Sequence, residues 1–199
     1  MTLRSALLLV VCTPTLLVAG EFNKLLKIGD AAPAWKELPG TDGKKHALAD
    51  HASKEFVVVV FTCNSCACSI EYEDRIIAFA KKFQDKVALV AINVNTIPED
   101  RLDAMKKRAE KKKFPFEYLY DESQKLAKDY GATYTPEFFV LNKERRIAYM
   151  GALDDKTNPP DVKDKYLEPA IEALLKGEKP AKTETAARGC MIRWKRTRD

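Results

Sequence analysis

The chain has 199 residues, 46% of them hydrophobic and 32% charged, with a formal net charge of +5. That length suits one domain with extensions, and that composition excludes a chain disordered throughout. Residues 176–199 hold eight Lys/Arg against three Asp/Glu, so the positive excess lies in the tail and the body is near neutral, which argues against nucleic-acid binding.

The chain opens with Arg4, then an apolar stretch, then small residues before Glu21. This is the layout of a secretory signal peptide cleaved near Gly20. The stretch is interrupted by Cys12-Thr13-Pro14 and is short for a membrane span. The expected division is 1–20 signal peptide, 21–177 folded domain and 178–199 basic tail with Cys190. Export to the periplasm or another extracytoplasmic space, with no stable membrane insertion after cleavage, would leave Cys63, Cys66, Cys68 and Cys190 where disulfides persist.

Residues 21–55 read as a lead-in, with Asp42-Gly43 as a hairpin turn. His46 and His51, the two histidines, read as surface polar residues on that edge hairpin. Phe56-Val57-Val58-Val59-Val60-Phe61 is a β-branched and aromatic run, a buried central strand. It ends in Thr62-Cys63-Asn64-Ser65-Cys66-Ala67-Cys68. A helical period follows, with Ile76, Ile77, Ala80 and Phe83 on one face. The strand at 87–95 reads as parallel to the first through that helical crossover. A helix over 98–113, a short strand at 114–121 and a short helix over 123–130 stopped by Gly131 come next. A strand at 137–142, its hairpin partner at 147–151 and a last helix over 162–176 complete the pattern. The fold class is α/β: a mixed central sheet flanked by helices, with an N-terminal hairpin extension.

Cys63 and Cys66 fall where a strand turns into a helix. Unpaired N–H groups and the positive end of the helix dipole stabilise a thiolate there. A second cysteine three residues on can resolve a mixed disulfide, so strand, C-x-x-C, helix reads as a thiol–disulfide centre.

Ile28-Gly29-Asp30-x-Ala32-Pro33, Asp42-Gly43-Lys44, the Val-rich strand into C-x-x-C, and Thr135-Pro136 before a strand resemble the thioredoxin-like redoxins. These include the alkyl hydroperoxide reductase/thiol-specific antioxidant branch and exported thioredoxins that reduce disulfides. The likeness runs from about Ile28 to Gly177. It implies Cys63 as the attacking thiol, Cys66 as the resolving thiol and Pro136 as a cis proline beside them. Thr135 would then offer its backbone to an incoming extended peptide. It also implies an exported thiol–disulfide oxidoreductase with no cofactor, acting on protein or small-thiol disulfides and served by an upstream thiol donor.

The sequence departs from that pattern at several places. Thr62 and Asn64-Ser65 replace the usual tryptophan and Gly-Pro, and Val57 stands where a buried acid often serves as proton acceptor. Glu71, Glu73 and Glu137 are the candidates to replace it. A peroxiredoxin-like thiol peroxidase, the first alternative, would want Thr or Ser three residues before its cysteine, where Val60 and Cys63 stand. The second alternative is a copper or zinc carrier using Cys63, Cys66 and Cys68 as soft ligands. In the tail, Ile192 and Trp194 alternate with Arg193 and Lys195, the pattern of a short strand with one face on the domain. Such docking would make Cys190 a third redox thiol for Cys63–Cys66, or tie it to Cys68.

Overall fold

The computed structural model describes residues 20–196; residues 1–19, and with them the signal-peptide reading, lie outside the described residues. A hairpin of Leu38–Pro39 (β1) and Lys45–His46 (β2) turns through Gly43, whose φ of 82° only glycine adopts freely. His46 and His51 are not surface residues as expected. Both reach Glu117, at 3.2 and 3.1 Å, and His46 also meets Asp42 at 3.0 Å, so they clip the hairpin to the sheet.

Phe56–Phe61 (β3) is buried along its whole length. Helix α1 (Ala67–Phe83) leads to Val87–Asn93 (β4), and α2 (Leu102–Lys112) leads to Glu117–Tyr120 (β5). After α3 (Lys125–Asp129) come Tyr134–Thr135 (β6), Glu137–Leu141 (β7) and Ile147–Gly151 (β8). Helix α4 (Leu167–Leu175) and Cys190–Met191 (β9) finish the chain. The central sheet has the order β5-β4-β3-β7-β8, with β4 parallel to β3 and β7 antiparallel to it. It is the mixed sheet expected.

Side chains alternate across a strand, and here both faces of β3 are buried. Phe56, Val58 and Val60 pack with Tyr72, Ile76 and Phe79 of α1, Met105 of α2, and Leu167 and Ile171 of α4. Val57, Val59 and Phe61 pack with Trp35 of the lead-in, Leu126 and Ala127 of α3, and Ile192 of the tail. The tail is therefore part of the core. Its residues 183–185 run beside β8, where Met150 N donates to Thr183 O and Thr185 N donates to Met150 O, both at 3.1 Å.

Helices α2 and α4 begin four and five residues later than the sequence suggests, and α3 two residues later. Residues Pro98–Asp100 form one tight turn, Arg101 is extended, and α2 starts at Leu102. The break lets the Asp100 side chain turn inward to full burial. Helix α4 starts at Leu167 and not near 162. Pro169 is tolerated only in a first helical turn, and this start places it there.

Candidate active site

The chain leaves β3 at Phe61, runs through Thr62 and Cys63, bends at Asn64-Ser65 and enters α1 at Ala67. Cys66 is the residue that caps the helix: its backbone is extended, and Ser69 N–H donates to its sulfur at 3.4 Å. The sequence places both Cys63 and Cys66 at this strand-to-helix turn, and the resemblance makes Cys63 the attacker; in the structure the cap is Cys66, three residues later. The difference traces to Asp100. Its carboxylate accepts the N–H groups of Asn64 (2.7 Å) and Ser65 (3.0 Å) and the Ser65 hydroxyl (2.6 Å). Those amides are held out of the helix, which starts only after them. Ser65 N–H and Asp100 are 35 residues apart, and the sequence offered no signal linking them.

The Thr135–Pro136 peptide is cis and lies against the cysteines. Thr135 O sits 3.4 Å from the Cys66 sulfur, and Thr135 Oγ1 sits 3.4 Å from the Cys63 sulfur. Cys66 and Cys190 form a disulfide with Cα atoms 6.2 Å apart, inside the usual range for such a bond. Strand β9 delivers Cys190: Thr135 pairs with Cys190 and Tyr134 with Met191, antiparallel. Cys190 thus occupies the backbone pairing position at Thr135 that the resemblance assigns to an incoming extended peptide. Cys63 is a free buried thiol and Cys68 a free, half-buried one. Cys190 is therefore bonded to Cys66, neither to Cys68 nor to a Cys63–Cys66 pair.

Among the described residues, the sulfurs of Cys66, Cys68 and Cys190 lie within 4.8 Å of one another. Cys63 is outside that group, so the ligand set expected for a metal carrier differs from the cluster the fold assembles. Two of its three members are bonded to each other here, and a disulfide sulfur is not a thiolate ligand.

The three acids divide. Glu71 is exposed on α1. Glu73 is buried and held by Arg108 through two hydrogen bonds of 2.7 and 2.6 Å, with Lys112 at 3.4 Å. Glu137 accepts the N–H groups of Thr133 (2.8 Å) and Tyr134 (3.0 Å), and so shapes the loop that presents Thr135. Burial pushes its carboxyl above the ordinary 4.5, against the downward pull of those two N–H groups. Tyr118 donates to Asn64 Oδ1 at 3.0 Å; burial first, and Cys63 second, hold its hydroxyl well above the ordinary 10.0, so it stays protonated.

Glu137 supports a pH prediction. A raised carboxyl contributes stability that is complete below its unfolded value, roughly 4.3, and is lost as pH rises through the folded value. Glu137→Gln keeps an acceptor for both N–H groups and cannot ionise. The stability of the wild type minus that of Glu137→Gln, from denaturant titrations at several pH values, should therefore fall as pH rises above about 4.3. A flat or rising difference would contradict the buried setting.

Residues 27–166 match the family model described as Redoxin. Among curated proteins, none matches the chain. Among solved structures, a hypothetical protein from Sinorhizobium meliloti 1021 is 33% identical, with a TM-score of 0.79, over 85% of this chain and 96% of that one. An uncharacterized conserved protein from Geobacillus kaustophilus is 32% identical, with a TM-score of 0.82, over 88% and 96%. A putative thiol:disulfide interchange protein DsbE from Chlorobium tepidum, at 22% identity over 63% and 84% and a TM-score of 0.55, shares the fold.

Proposed function

Because the chain belongs to the redoxin family, we propose that it is a thiol–disulfide oxidoreductase in which Cys66 is the exchanging thiol. One observation carries this reading: Cys66 caps α1, lies against the cis Thr135–Pro136 loop and is bonded to another cysteine. In the reduced protein, the helix-terminal position favours the Cys66 thiolate. That thiolate attacks one sulfur of a substrate disulfide, forming a mixed disulfide and releasing the other sulfur as a thiolate, which takes a proton. Cys190 then attacks the Cys66 sulfur, expelling the second substrate thiolate and closing Cys66–Cys190. Two electrons pass from the cysteine pair to the substrate. An external thiol donor resets the pair by the reverse exchange.

Cys63, expected as the attacker, takes another role in this reading. Its thiol lies beneath Thr135 and within 4.0 Å of Ser69 Oγ, where it can attack Cys66 and move the bond to Cys63–Cys66. Substrates are disulfides of small thiols or of proteins. Export is part of the proposal; the basic-then-apolar opening of the sequence supports it. Among the described residues no helix is long and apolar enough to cross a membrane.

The test compares turnover of hydroxyethyl disulfide and hydrogen peroxide with one thiol donor. Disulfide turnover should exceed peroxide consumption, because Cys63, and not Thr or Ser, stands three residues before Cys66. Fast peroxide consumption without disulfide turnover would replace this reading with the peroxidase.

A further inference from the structure

The tail is held by more than its sulfur. Gln124 and Asn95, 1% and 2% exposed, are buried amides facing it. Asn95 Oδ1 accepts Arg193 N–H at 3.0 Å. Gln124 Nε2 donates to Arg193 O at 2.9 Å, and its Oε1 accepts Lys195 N–H at 2.7 Å. Thr133 O accepts Ile192 N–H at 2.9 Å. The Ile192 side chain is 3% exposed and packs in the core with Leu126, Ala127 and Tyr130. Gly189 lets the strand approach this closely, since a Cβ there would lie 2.1 Å from Thr135 O. None of these contacts needs the disulfide, and most lie on the far side of Cys190 from the domain's last helix.

We propose that Gln124 and Asn95 clamp the C-terminal strand on the domain in both redox states, so that Cys190 stays beside Cys66 after reduction and is the thiol that closes the bond. The inference rests on the exchange chemistry proposed for Cys66. Gln124 and Asn95 are positioning residues: they touch the tail's backbone and never the sulfurs. Their effect is on the effective concentration of Cys190 at Cys66, the quantity that decides between two competing internal thiols. A buried amide left without its partner costs the desolvation it has already undergone, so the clamp opposes release of the strand. Asn95 also ties the clamp to the cysteine loop, because its Nδ2 donates at 3.0 Å to the Asp100 carboxylate that holds Asn64 and Ser65.

The clamp is tested on the full chain equilibrated in glutathione redox buffers, acid-quenched and mapped by mass spectrometry. Two variants are compared with the wild type. Gln124→Ala removes the domain side; Arg193→Pro removes the N–H given to Asn95, at the cost of a fixed φ there, and changes no residue of the domain side. Losing one or two such hydrogen bonds shifts docking by roughly tenfold. The ratio of Cys66–Cys190 to glutathione-bound Cys66 should fall at least fivefold in Arg193→Pro, with Cys63–Cys66 rising in its place; a smaller fall overturns the clamp. If Gln124→Ala fails to fold, Arg193→Pro decides alone. Hydrogen exchange on Cys190→Ser gives a readout free of disulfide chemistry: the Ile192 amide should remain protected, and exchange at the rate of an unfolded chain overturns the proposal. If wild-type Cys66 forms neither a glutathione adduct nor a bond to Cys190, the exchange reading itself fails, which the Ile192 amide distinguishes.

Discussion

Cys66→Ser is expected to abolish turnover of hydroxyethyl disulfide, on the order of a thousandfold or more, because a hydroxyl cannot accept the substrate sulfur as a thiolate does. Cys63→Ser should cost far less. Both thiols are buried, at 3% and 5% exposure, and what sets Cys66 apart is its place at the helix end with the Ser69 N–H on its sulfur. Cys190→Ser should let the first exchange occur and slow the second, so that the mixed disulfide on Cys66 accumulates and is visible by mass. The three variants thus separate the attacking thiol from its two internal partners. If Cys63→Ser loses all turnover and Cys66→Ser retains the first exchange step, the roles are those expected from chain order and not those drawn from the helix cap.

Asp100→Ala is expected to destabilise the protein by roughly 3 kcal/mol or more, since buried donors left unpaired cost about 1–3 kcal/mol each. Asp100 is fully buried and receives Asn64 N–H, Ser65 N–H, the Ser65 hydroxyl and the Asn95 and Asn93 side-chain amides. Alanine leaves all five without that partner. The same change frees the loop between Cys63 and Cys66, so exchange should slow even where the protein stays folded. Asp100→Asn keeps one oxygen for the two backbone N–H groups and should lose less on both measures. Denaturant unfolding gives the first and turnover the second. A loss below about 1 kcal/mol for Asp100→Ala would show that the carboxylate does not organise the loop.

Much of the frame was legible because its signals are local. The Val57–Val60 run marks the central strand, and two short apolar runs separated by a helical period mark its parallel neighbour. The alternation of Ile192 and Trp194 with Arg193 and Lys195 pointed to a docked tail strand; the tail docks through Ile192, but the paired strand is Cys190–Met191, against Tyr134–Thr135, and Trp194 is 36% exposed. The details of the site were less legible. Which cysteine caps the helix depends on Asp100, which reaches back across 35 residues to Ser65 N. Which cysteine pairs with Cys66 depends on a contact across 124 residues. Gln124 and Asn95 carry no motif at all; an amide reads as a loop residue until the backbone it satisfies is known. Glu73 looked available as a proton acceptor because its partner Arg108 lies on another helix.

The most direct measurement is a disulfide map of the full chain, oxidised to completion, alkylated under denaturing conditions without reductant and digested. The account predicts one bond, Cys66–Cys190, with Cys63 and Cys68 both alkylated. A Cys63–Cys66 bond with Cys190 alkylated would contradict it.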